Sequence, residues 1–217
     1  MTIHREGRKI ILSVWLIGAL LITVNTLFIR NIYCSCTLSA ICLFFMLFVL
    51  FFFRVPSRKT APGDNVVTSV ADGEVVIIDK VFEPEYFKGE CIQISVYMDF
   101  FNVHVNFWPI DGELSYYKYH PGRYFLAFLP KASELNEHAS VAVKSPYGDV
   151  FFKQMAGTFA RRIITYSEPG HKVKGTQCGI IKFGSRIDMY LPLDAEIQVK
   201  VGDNVTACET VIANFKK

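Results

Sequence analysis

The chain has 217 residues, enough for one compact domain plus extra segments, and 51% of them are hydrophobic, with 19 Phe, which is unusual for a soluble protein. The formal net charge of +3 is modest: it suits an anionic lipid surface slightly and gives no reason to expect a nucleic-acid partner. Six cysteines without a Cys-x-x-Cys pair, and five dispersed histidines, provide no metal framework and fit a reducing compartment.

The apolar excess lies at the N-terminus. Ile10 to Ile29 contains no charged residue, and its 20 residues at 1.5 Å each match the ~30 Å hydrocarbon core of a bilayer. Thr37 to Phe53 is a second apolar run, and Arg30 to Cys36 joins the two. The first run is longer than the h-region of a cleaved signal peptide, and the second follows closely, so the pair reads as a retained helical hairpin. Both runs are apolar on every face, which argues against core helices. Arg5, Arg8 and Lys9 precede the hairpin, Arg54, Arg58 and Lys59 follow it, and only Arg30 lies in the turn. Lys/Arg-rich flanks stay on the cytoplasmic side, so both ends of the hairpin and the remaining chain are expected there, at the cell membrane.

Residues 1–59 are therefore expected to form a membrane anchor with a linker, and residues 60–217 a second domain. Pro56, Pro62 and Gly63 mark the linker. From Val66 the pattern is β: Val67–Val70, Val75–Ile78, Cys91–Tyr97 and Val141–Val143 read as strands, separated by turn signals at Ala71-Asp72-Gly73, Asp111-Gly112 and Pro146–Asp149. Phe152 to Thr165 reads as strand because Ile163, Ile164 and Thr165 are β-branched.

A weak repeat follows. Gly170 leads through Val173 and Gly175 to Ile180, and Gly202 leads at the same spacing through Val205 and Ala207 to Ile212. Gly-x-x-Val turns feeding strands resemble those of biotinyl/lipoyl-type hairpin barrels, where Gly permits a positive φ. The expected class is mainly β, a hairpin barrel or sandwich after an α-helical hairpin. No Lys stands at a carrier-type hairpin tip.

The segment Gly179–Pro192 holds Gly184-Ser185 between two strand-like runs. Alone, Gly-Ser means a turn. Ile181-Lys182-Phe183-Gly184-Ser185-Arg186-Ile187-Asp188, however, resembles the short-form version of the Leu-Gly-Ser-Thr cleavage motif of the phosphatidylserine decarboxylase family. Other pieces resemble that family in the same order: Val70-Ala71-Asp72-Gly73, Asn102-Val103-His104-Val105-Asn106 with Pro109, Tyr119-His120-Pro121-Gly122, Asn136-Glu137, Gln154–Gly157 and Ala160–Ile163. The resemblance covers residues 66 to 213, and paired N-terminal spans are usual in the short form. Arg186 replaces the family Thr, Phe183 the Leu, and Val70 a Pro. Longer members carry His-x-x-His, whose second position is Phe107 here; His120 is a candidate for the missing imidazole.

The resemblance implies an enzyme that decarboxylates phosphatidylserine to phosphatidylethanolamine, with membrane lipid as its partner. Its cofactor is a pyruvoyl group made from Ser185, which forms a Schiff base with the substrate. Ser185 attacks the Gly184 carbonyl, and the chain parts into residues 1–184 (β chain) and 185–217 (α chain), which stay together. A serine hydroxyl needs a base at neutral pH. The resemblance points to His104, with Asp72 orienting the imidazole; Arg161, beside Arg162, is by its guanidinium a candidate contact for the lipid phosphate. No metal is expected.

Without the resemblance these residues read more plainly. Asp72 before Gly73 is a turn residue, His104 between Val103 and Val105 a hydrogen-bonded core histidine, and Arg161-Arg162 a solvated pair. His4, His138 and His171 read as surface residues. Two other functions remain open: an uncleaved membrane-tethered binding module, and a pyruvoyl decarboxylase of another serine-headed lipid.

Overall fold

The computed structural model describes residues 1–122, 136–157, 162–182 and 185–216, with the backbone alone at Ser185. The chain divides into two units, Met1–Ser57 and Arg58–Lys217.

In the first unit a short strand, β1 (Thr2–Ile3), and a 3-10 turn lead into α1 (Arg8–Phe28); α2 (Ile32–Phe52) then runs into β2 (Arg54–Val55). Each helix has 21 residues, about 30 Å of rise, and is long and apolar enough to cross a membrane. The connection is shorter than the charge pattern suggested. Asn31 caps α2, its side-chain oxygen accepting from the Cys34 N–H at 3.1 Å, so Ile32 to Cys36 is helix rather than turn.

Gly18 lets the helices approach: a Cβ there would lie 2.6 Å from the Met46 sulfur. Asn25 donates to the Ser35 carbonyl at 2.7 Å and to the Ser39 hydroxyl at 2.8 Å, a polar tie within the apolar pair. β1 pairs antiparallel with β2, and the His4 N–H donates to Phe53 O at 2.9 Å, closing the open end of the hairpin. His4 is buried, contrary to the surface expectation, because its Nδ1 accepts from the Glu6 N–H and caps the 3-10 turn.

The second unit is β, as its alternating pattern dictates. Its strands are β3 (Val66–Thr68), β4 (Gly73–Glu83), β5 (Gly89–Met98), β6 (Val105–Phe107), β7 (Gly112–His120), β8 (His138–Lys144) and β9 (Asp149–Ala156). They continue with β10 (Ile163–Thr165), β11 (His171–Lys172), β12 (Gln177–Ile181), β13 (Ser185–Leu191), β14 (Glu196–Ile197), β15 (Asn204–Val205) and β16 (Val211–Asn214). Eight form one curled sheet in the order β11-β7-β8-β9-β13-β5-β4-β15. Two three-stranded sheets, β10-β12-β6 and β14-β16-β3, complete a barrel-like domain. The mainly-β class with two leading apolar helices is as the sequence indicates. Phe152 to Thr165 contributes the end of β9 and all of β10, and Gly170 and Gly202 both take the positive φ their repeat requires (+113° and +91°).

One core joins the three sheets. Ile94 and Val96 of β5, Phe152 of β9, and Ile187, Met189 and Leu191 of β13 pack with Val67, Ile181 and Ile212 of the smaller sheets. The alternate positions of the large sheet face the other way and are also covered. Tyr86 and Phe87, from the β4–β5 loop, pack on Cys91, Phe151 and Tyr190. That second face holds buried charge: Arg186 and Asp188, both fully buried, pair at 2.8 Å (Nε–Oδ1) and 3.0 Å (Nη2–Oδ2).

Candidate active site

β13 begins at Ser185, whose register neighbours are Met98, the last residue of β5, and Ala156, the last of β9. Ala156 is pinned in turn by Asn136-Glu137: its N–H donates to Glu137 O at 2.9 Å, and Asn136 Nδ2 donates to its carbonyl at 2.8 Å. The chain reaches Ser185 from another sheet. β12 pairs with β6, the Ile181 N–H donates to His104 O at 3.2 Å, and the Lys182 N–H donates to Arg162 O at 3.2 Å. Phe183 and Gly184, and the Ser185 side chain, lie outside the described residues, as does Arg161.

A buried polar chain stitches the sheets behind this point. Thr165 Oγ1 donates to Gln154 Oε1 at 2.6 Å, and Gln154 Nε2 donates to Asn106 Oδ1 at 2.8 Å. Gly179 makes room for it, since a Cβ there would lie 2.2 Å from Ile164 O and 2.9 Å from Gln154 Nε2.

His104 is fully buried just before β6, and its Nδ1 lies 3.0 Å from Asn102 O. A carbonyl can only accept, so Nδ1 carries the proton and Nε2 keeps the lone pair. The backbone of Asn102 thus sets the tautomer a base requires. Asp72 precedes β4 and its carboxylate is held by Arg58 at 2.5 Å through both guanidinium Nη atoms, and by the Ala207 N–H at 2.9 Å. Among the described residues no hydrogen bond joins it to the imidazole. What the fold brings together is backbone: Gly73 follows Asp72 and packs so tightly on β5 that a Cβ would lie 2.1 Å from Tyr97 O, one residue from the neighbour of Ser185. Ser185 and the Asp72–Gly73 turn thus both border the Tyr97–Met98 end of β5, while His104 is tied through its carbonyl to Ile181 of β12.

His120 sits elsewhere. It ends β7, which β8 and β9 separate from β13 in the large sheet, with its ring stacked on His138 at 4.3 Å and its Nε2 2.6 Å from Glu85 Oε1. His138 is buried in β8, not at the surface, because its register with His120 and Met155 places it inside the sheet. His171 is exposed, its side chain more than half open. Phe107, at the second family histidine position, is buried, with the Arg58 guanidinium over its ring at 6.0 Å. The thiols near these elements are quiet: burial pushes Cys208 up to about 12, with Asp72 adding and Arg58 opposing, and burial raises Cys178 as well.

Sequence reasoning missed the Arg58–Asp72 clamp, the Asn102 carbonyl and the grouping of Glu85 with His120 and His138. None has a local signal, because the partners are joined by register and loop placement.

The comparisons with known proteins agree with the motif reading. The family model described as phosphatidylserine decarboxylase matches residues 45–213. The chain is 43% identical to a phosphatidylserine decarboxylase proenzyme of Amoebophilus asiaticus, covering 99% of this chain and 97% of that protein. It is 40% identical to one of Cytophaga hutchinsonii, covering 99% of each, and 44% identical to one of Nitrosomonas europaea, covering 78% of this chain and 79% of that protein.

Proposed function

We propose that this chain, which belongs to the phosphatidylserine decarboxylase family and decarboxylates phosphatidylserine in phospholipid biosynthesis, works through a pyruvoyl group made from its own Ser185. The observation that carries the proposal is the start of β13. Ser185 is its first residue, held on both sides by β5 and β9, while β12, which ends at Ile181, belongs to a different sheet. A cut just before Ser185 leaves β13 whole, and residues 185–217 keep their places through β13, β15 on β4 and β16 on β3. The products, 1–184 and 185–217, then remain one assembly.

In the proposed cleavage the Ser185 hydroxyl attacks the Gly184 carbonyl carbon and gives its proton to Nε2 of His104. The C–N bond breaks, its nitrogen takes a proton, and an ester joins the two residues. Removal of the Ser185 α-proton expels the Gly184 carboxylate and leaves dehydroalanine; water then releases ammonia. Asp72 is proposed to stabilise the imidazolium, which requires its carboxylate to be shared between Arg58 and the ring.

The residues present fit a pyruvoyl group. The position heads β13 between Met98 and Ala156 of the core, and the buried His104 bonds through Nδ1 to a backbone carbonyl, which leaves Nε2 of the neutral ring for proton transfer. Once formed, the group supplies a carbonyl that takes up the substrate amine and draws the electrons left when carbon dioxide departs. His104 then holds the proton that returns to carbon, and Arg161 is the proposed partner of the lipid phosphate.

Two apolar N-terminal helices are compatible with membrane association. The Lys/Arg flanks support a catalytic unit on the cytoplasmic side, with residues 1–59 as anchor and 60–217 as the decarboxylase domain.

Intact mass spectrometry of the purified protein tests the proposal. Two species, 1–184 and 185–217 with a pyruvoyl N-terminus, are expected. One uncut species from folded, active protein overturns it, and an uncut, inactive one leaves a tethered binding module.

A further inference from the structure

The β4–β5 loop and the ends of β7 and β8 enclose a group that cleavage and decarboxylation do not use. We propose that Glu85, His120 and His138 form a site for one divalent transition metal ion of the zinc type. Their ligand atoms lie within 4.8 Å of one another. Two imidazole nitrogens and a carboxylate oxygen are the donor set such ions take, with a fourth position left open.

The surroundings are built for ligation. His138 Nδ1 lies 2.8 Å from the Asn136 carbonyl, so it carries the proton and Nε2 presents its lone pair. Glu85 is oriented from several sides. Ser140 Oγ donates to its Oε2 at 2.9 Å, Lys153 lies 3.2 Å from the same oxygen, and Tyr116 OH donates to Oε1 at 3.1 Å. Lys153 is thus kept on Oε2, and Glu83 balances its charge from 3.3 Å. Oε1 is the oxygen turned to His120 Nε2.

His120 and His138 are direct cross-strand partners with rings 16° from parallel. Two imidazolium ions so placed would repel, whereas two neutral rings can share a cation that replaces the proton between His120 and Glu85. Zinc bonds of about 2.0–2.1 Å put tetrahedral donors about 3.4 Å apart, so spacings of up to 4.8 Å must close while the 2.6 Å His120–Glu85 pair opens. Glu85 on a loop and His120 at a strand end supply that movement. His120 and His138 line a cleft of about 600 Å³ together with Lys153 and Tyr190, from which a fourth ligand can reach the ion. A bound ion ties the β4–β5 loop to β7 and β8, and this holds whether or not Ser185 is cleaved.

The test is titration of the full-length protein, freed of metal and held in detergent, with Co²⁺ alone. Expected is one equivalent with visible absorption of a four-coordinate ion, no thiolate charge-transfer band, displacement by Zn²⁺ and a raised melting temperature. Glu85→Gln, which is nearly isosteric, and His120→Ala, at the cleft rim, should each weaken binding by about a hundredfold. Absence of binding to the wild type overturns the proposal. So does undiminished binding in both folded variants, or a thiolate band, which would assign the ion to cysteines.

Discussion

The backbone N–H of Ile181 donates to the carbonyl of His104 at 3.2 Å, four residues before Ser185. The strand that precedes the proposed cleavage point is thereby bonded to the residue proposed as its base. The backbone at His104 and the end of β12 are fixed together.

Ser185→Ala should give one full-length chain by mass spectrometry and no carbon dioxide release from phosphatidylserine. His104→Ala should process about 10²-fold more slowly or worse, the usual cost of losing a general base. Normal maturation of His104→Ala would remove His104 from the cleavage step.

Arg58 and Asp72 separate two roles. Asp72→Asn keeps the shape but weakens both the clamp and any help to the imidazolium, while Arg58→Met removes only the clamp. Processing rates followed on a gel should fall markedly for Asp72→Asn and little for Arg58→Met. Equal slowing would mean that Asp72 serves the fold at the entry to β4 and not the imidazole.

Asp188→Ala should be severely destabilising. It removes the carboxylate paired with a fully buried guanidinium one residue after Ser185, and breaking such a pair costs about 3–5 kcal/mol. Arg186→Met with Asp188→Leu should recover much of that loss, because two apolar side chains need no partner. Chemical denaturation of the three proteins reads the difference.

Gly179→Ala should lower stability and scatter the Gln154–Asn106–Thr165 chain, since the new methyl meets the Ile164 carbonyl at 2.2 Å and cannot be relieved by a rotamer change. The thermal midpoint should drop by several degrees, with slower processing because β12 can no longer sit against β10.

Burial, reinforced by Glu83 and opposed by Lys153, pushes the Cys91 thiol up to about 11 from an ordinary 9.0. At pH 8 the thiolate fraction falls about a hundredfold, two pK units. Native protein treated with iodoacetamide at pH 8 should leave Cys91 and Cys208 unmodified, and both should react after denaturation. Rapid native labelling of Cys91 would place it outside the covered face of the sheet.

What the sequence determined by itself is what depends on near neighbours. Two uninterrupted apolar runs specify long apolar helices, alternation from Val66 specifies strands, and the glycines at 170 and 202 specify turns, because each rests on a few consecutive residues. The Gly184-Ser185 motif was legible through its resemblance, in order, to a family. The shortened turn at Asn31 was missed because one capping side chain outweighed a charged, polar-looking stretch. Tertiary structure alone decided that His138 is buried against His120 and Glu85, that Asp72 meets Arg58 and the distant Ala207 amide, and that Arg186 pairs with Asp188 inside the domain. A period-2 pattern says which residues share a face, but not which strand lies alongside. That choice is made by register across the whole sheet, where burying the apolar face fixes the polar partners on the other.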